Sequence, residues 1–166
     1  MLTTRATLLQ RLKRRSDSGS WRDFIKLYAP LLYRYARQRG LSVADAEEIR
    51  DRCLEVMVAK LPEFQYARGR RGFKNWLRQI VTRKVIDLQR KQREREADSV
   101  ELSALKDSSP SPAEIWEKNW HDAHLKFCVD RVRGKVTDIH FLAFRMVALE
   151  GVRADEVASR LNLTTN

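Results

Sequence analysis

Apolar residues recur at helical spacing through most of this chain. Trp21, Phe24, Ile25, Tyr28, Leu31, Leu32 and Tyr35 follow Ser20 at three- and four-residue intervals and predict a first helix, which Pro30 should bend or split. After Gly40, Ser42 is placed to cap a second helix in which Ile49, Cys53, Val56, Met57 and Lys60 share one face. Asp45, Glu47, Glu48, Asp51 and Glu55 lie largely elsewhere and make its outer face acidic.

The pattern then breaks. LPEFQYARGRRG carries Pro62, Gly69 and Gly72 with no periodicity and reads as an exposed loop bearing Phe64, Tyr66 and several arginines. A long helix follows, with Phe73, Trp76, Leu77, Ile80, Val81, Val85 and Leu88 on one arc and Asn75, Arg78, Gln79, Thr82, Arg83 and Arg90 on the other. Asp87 falls on the packing arc, where a structural ion pair with Arg83, Lys84, Arg90 or Lys91 is expected rather than catalysis.

Residues 96–111 are polar and rich in Ser and Asp, in the manner of a linker. Ser111, Pro112 and Glu114 make a helix start of the capping-box kind, followed by a stripe of Trp116, Trp120, Ala123 and Phe127. Another helix is expected from about Thr137 to Leu149, stopped by Gly151, and a short one over DEVASRL. The pattern predicts an all-α protein: a basic segment at 1–19, a helical unit at 20–95, the linker at 96–111 and a second helical unit at 112–166.

Charge sharpens this picture. Thirty-three Lys and Arg against 22 Asp and Glu give a formal net charge of +11, which calls for a polyanionic partner. The excess is concentrated before Gly40 and again from Arg68 to Arg95. There the cations can neutralise phosphates, and Phe64 and Tyr66 offer ring faces to unstacked bases. The bland counterpart is a solvated basic face on a core helix. The basic N-terminus, LLQRLKRR, also raises a membrane-surface reading, but its apolar face is too small for stable insertion.

Chemistry is otherwise sparse. Two cysteines, Cys53 and Cys128, offer no disulfide framework and point to a cytoplasmic setting. His121, His124 and Cys128 share one side of a helix, yet three ligands at that spacing match no closed zinc site, so no metal is expected. No phosphate-loop, zinc-protease, nucleophile-elbow or dinucleotide motif occurs. Neither a cofactor nor a catalytic residue is indicated, and the expected protein is not an enzyme.

The order of these elements resembles the extracytoplasmic-function branch of the sigma-70-type transcription initiation factors. The opening LLQRL (Leu8 to Leu12) resembles the start of its short forms, SWRDFIKLYAPLLYRYARQRG its first helix, and LSVADAEEIRDRCLEVMVAKL its polymerase-binding helix. FQYARGRRGFKNWLRQIVTRKVIDLQRKQRER resembles its promoter-melting segment, with Phe73, Trp76, Leu77, Asp87 and Arg90 in register. The resemblance implies that region 2 spans 20–95 and that Asp45, Glu47, Glu48, Ile49, Asp51 and Arg52 meet core RNA polymerase. At Asp51 and Arg52 the family usually has Gln then Glu. It further implies that the Phe64 to Gly72 loop holds a flipped minus-10 base. Promoter DNA would then be met by Phe64, Tyr66, Arg68, Arg70, Arg71, Lys74, Asn75, Arg78, Arg83, Lys84, Arg90 and Lys91.

Residues 112–166 resemble the family's region 4. ALEGVRADEVASRLNLTTN has small Ala158 where two helices approach and Thr164 placed to cap a recognition helix, which would lie past Asn166. The resemblance implies a non-catalytic factor, monomeric when free, with an anti-sigma factor as a further partner. A stand-alone helix-turn-helix regulator is the alternative, distinguished by binding duplex sites without polymerase.

Overall fold

A computed structural model of the chain describes residues 12, 18–64, 72–96 and 110–164. The described residues form helices and their connections, with no strand among them, so the all-α expectation holds. The elements are α1 (Ser18–Gln38), α2 (Val43–Lys60), a 3-10 turn (Leu61–Glu63), α3 (Phe73–Glu96), α4 (Pro112–Arg133), α5 (Asp138–Phe144) running into a π-helical turn (Arg145–Leu149), and α6 (Ala154–Leu161).

Packing separates the chain into two compact units, one ending at His124 and the other beginning at Leu125. The division falls inside α4. A helix can serve two units when its two halves carry different faces, and the aromatic positions of α4 are crowded into its first half.

In the first unit, α1 and α2 form an antiparallel hairpin. Gly40, at φ 87°, closes α1, and Leu41 N–H returns to Ala36 O at 3.3 Å. Ser42 caps α2 by accepting the Asp45 N–H at 3.1 Å, as its position predicts. Phe24, Leu27, Tyr28, Leu31, Leu32, Tyr35 and Ala36 of α1 are buried against Ala46, Ile49, Cys53 and Met57 of α2 and Phe73, Leu77, Val81 and Val85 of α3. Two polar ties fix α3 from the side: Tyr35 OH to Thr82 Oγ1 at 3.0 Å, and Gln89 Nε2 to Arg39 O at 2.8 Å.

Several sequence expectations are corrected here. Pro30 does not split the first helix, which runs unbroken from Ser18 to Gln38. An internal proline costs about 3 kcal/mol, but Leu27, Leu31 and Leu32 on either side are buried, and each contributes about 1.5–3 kcal/mol. Val56 is only half-buried and Lys60 is exposed, because the packed stripe of α2 runs through Ala46, Ile49, Cys53 and Met57. Asp87 is exposed rather than on the packing arc.

The second unit is thinly packed. Val157 is its one buried side chain among the described residues, while Val136, Ile139, Phe144, Val147 and Leu149 are each more than a third exposed. Gly151, at φ 72°, ends the π-helical turn as expected, and Val152 N–H reaches Met146 O at 2.9 Å. Ala143, Phe144, Val147, Ala154, Val157 and Ala158 line a shallow apolar groove between α5 and α6. Asn162, at φ 51°, closes α6.

Candidate nucleic-acid and polymerase-facing surfaces

Two faces of the first unit carry the candidate residues. On α2 the buried stripe leaves Glu47, Glu48, Asp51, Arg52 and Glu55 exposed on the far side. Arg52 pairs with Glu48 one turn before it, and Arg50 grips Asp51 with two hydrogen bonds of 2.7 and 3.0 Å. The Arg50 guanidinium therefore holds the Asp51 carboxyl below its ordinary range. These pairs are solvent-exposed, so they contribute little to stability and remain exchangeable for a partner's charges.

Two members of the expected set do not stand on this face. Ile49 is 2% exposed and lies in the core, as its spacing from Ala46 and Cys53 requires. A side chain so placed supports the acidic face from beneath and cannot itself meet another protein. Asp45 is half-buried at the helix start, where its Oδ2 accepts from Ser42 Oγ at 2.6 Å and from Gln92 Nε2 at 3.0 Å. The Ser42 hydrogen bond, ahead of the Gln92 one, keeps its carboxyl below the usual range.

On α3 the candidate cations are distributed around the helix. Trp76, Arg83 and Arg90 are seven residues apart and stack along one side; both arginines are exposed and the indole is half-buried. Asn75 and Gln79 adjoin this stripe. Arg90 makes only a loose pair with Glu94, at 3.7 Å, and Arg83 has no ion-pair partner among the described residues. Lys84 is half-buried and near enough to Cys53 to act on its thiol electrostatically, and Lys91 follows two turns later along the helix. The dominant influence on Cys53 is burial, which pushes its thiol up to about 12 and leaves it inert.

Lys74 leaves α3 on the side opposite Arg83. Its ammonium pairs with Glu117 of α4 and lies 5.7 Å from the centre of the Trp120 ring. Arg78, one turn further along α3, is half-buried.

At the start of α3 an aromatic cluster meets the stripe. Phe64, half-buried at the end of the 3-10 turn, packs on Trp76 at 4.9 Å and edge-on against Phe73 at 5.8 Å. Phe64 and Trp76 are thus ring surfaces open to solvent in part, and Phe73 beneath them is buried. Tyr66, Arg68, Arg70 and Arg71 lie outside the described residues.

Sequence reasoning predicted the start of α4 and its buried tryptophans but not what they pack against. The Ser111 and Glu114 capping box forms as expected, with reciprocal bonds of 2.7 and 3.2 Å. Trp116 and Trp120 then pack on Tyr35 and Tyr28, and Asn119 donates to Gln38 Oε1 at 2.7 Å. Asn119 and His124 are buried where Ala123 and Phe127 were expected, and the latter two are half-buried. His124 sits against Trp120 at 4.4 Å while His121 and Cys128 are exposed. No group of three or more metal-ligating side chains occurs among the described residues, and none of their helices is long and apolar enough to cross a membrane.

Residues 24–95 match the family model described as Sigma-70 region 2. The matched stretch begins at Phe24 in α1 and ends in α3, so it takes in both faces described above. Region 2 is the part of sigma factors that recognises and melts the promoter minus-10 element, and its presence supports a sigma-70-family sigma factor acting in transcription initiation. No curated protein and no solved structure matches the chain.

Proposed function

We propose that this protein is a sigma factor of the extracytoplasmic-function type, a non-catalytic subunit that directs RNA polymerase to promoters. Its α2 face of Glu47, Glu48, Asp51 and Arg52 binds core polymerase. Its α3 stripe of Arg83 and Arg90 tracks the phosphates of the opened strand, and Phe64 and Trp76 stack an unpaired minus-10 base. The observation that carries this reading is the stripe itself: half-exposed rings at one end and solvated arginines along the same side of one helix, within the segment that matches region 2. That combination is what binding to opened strands requires, because stacking rewards an unpaired base and cations reward its backbone.

The remaining parts of the reading follow from it. Residues 112–166 contain a region 4-like segment, the partners are core polymerase, promoter DNA and an anti-sigma factor, and the free factor is a cytoplasmic monomer. The test is co-elution of the chain with core RNA polymerase, followed by binding of fluorescent single strands carrying minus-10 sequences. Co-elution with strand-selective binding is the expected result. A folded chain that fails to co-elute, or that binds duplex sites alone, sinks it.

A further inference from the structure

The matched segment ends at residue 95, yet the aromatic cluster on which Phe64 rests is completed from beyond it. Trp120, 3% exposed, lies 6.4 Å from Phe73 between ring centres and 5.7 Å from Tyr28. Phe73 in turn meets Phe64 at 5.8 Å. A ring-to-ring path therefore runs from Trp120 through Phe73 to Phe64. Lys74, next to Phe73, lies over the same indole and pairs with Glu117 one turn before it. Asn119 holds the intervening turn to Gln38 at 2.7 Å.

Phe64 is held at the end of a three-residue turn, so its ring takes its position from the rings it touches. Protein interiors are packed as densely as organic crystals, and a large planar ring cannot move without displacing its neighbours. Trp120 packs against one side of Phe73, and Phe73 against Phe64.

We infer that Trp120 is a positioning residue for base capture, acting through Phe73 on Phe64, so that the strand-opening unit extends to His124. This rests on the reading of Phe64 as a stacking surface for an unpaired base. Trp120 itself touches no nucleic acid.

A double-mutant cycle tests it, run on the full chain bound to core polymerase with a non-template strand carrying 2-aminopurine at the minus-10 position, whose fluorescence reports stacking. Phe64→Ala is expected to weaken binding about tenfold, the range of one base stacked on one ring. Trp120→Leu is expected to cause a similar loss, and the double variant to bind no worse than either single one. Trp120→Phe, which keeps a ring, should recover most of the binding. Losses that multiply to about a hundredfold overturn the inference, since independent sites add in free energy. So does a folded Trp120→Leu protein that binds normally. If the Leu variant does not fold, the cycle is closed with Trp120→Phe, whose smaller loss must vanish in the Phe64→Ala background; persistence there overturns the inference equally. An unchanged Phe64→Ala protein would instead remove the stacking role on which the inference rests.

Discussion

Gln92, near the end of α3, donates its Nε2 to the Oδ2 of Asp45 at 3.0 Å and so ties that helix to the first turn of α2. The same oxygen accepts from the capping Ser42. Asp45 is thereby occupied in the fold, in contrast to Glu47 and Glu48, which are exposed one turn on. Asp45→Ala is expected to lower the melting temperature with little effect on co-elution with core polymerase. Glu47→Lys with Glu48→Lys is expected to do the reverse. A stable Asp45→Ala protein that loses polymerase would show that this carboxylate is part of the interface.

The two flanks of α3 predict different salt dependences. Removing Arg83 from the exposed stripe should flatten the slope of log binding constant against log salt by about one, the signature of one lost phosphate contact. Lys84, half-buried near Cys53, should change it much less. Titrations of single-strand binding across salt concentrations measure both, and equal slopes for the two variants would count against the stripe.

Acid should loosen the α4 contact. Burial, the largest influence, lowers the His124 pKa from 6.5 against the opposing hydrogen bond to Trp120 O, and the nearby Lys74 charge adds to the lowering. Its Nδ1 lies 2.8 Å from Trp120 O, while Nε2 is buried without a partner. A folded pKa below the unfolded one means that the unfolded chain takes up the proton first. The stability is therefore present above about pH 6.5 and is lost as pH falls from there toward the folded pKa. Thermal melts between pH 7.5 and 5.5 should show this decline, and His124→Gln should abolish most of it.

Burial separates two positions that look alike on a helical wheel. Ile49, at 2% exposure, should cost about 2–4 kcal/mol on replacement by Ala, as core truncations do. Val56, half-buried, should tolerate Asp at much smaller cost. Urea denaturation of the two variants compares them directly, and equal destabilisation would contradict the packing described for α2.

Much of this protein is legible in adjacent residues of its chain. Ser42 and Ser111 act as caps because a side chain bonding to an N–H three residues away is a local event, written in adjacent positions. The Phe73, Leu77, Val81 and Val85 stripe follows from helical periodicity alone, and so does the acidic outer face of α2. Gly151 ends its helix because glycine adopts a positive φ at little cost.

Local pattern is thus enough to say which segments are helices, where they begin, and roughly which side of each is apolar. Which surfaces those sides cover came from the packing of the helices against one another. It carried Pro30 inside an unbroken helix, buried Ile49 in the core, tied Asp45 to Gln92, placed Lys74 opposite Arg83 and brought Trp120 onto Phe73. Periodicity describes one helix about its own axis, whereas those outcomes depend on contacts between residues tens of positions apart, where shape and burial across the whole unit set the arrangement.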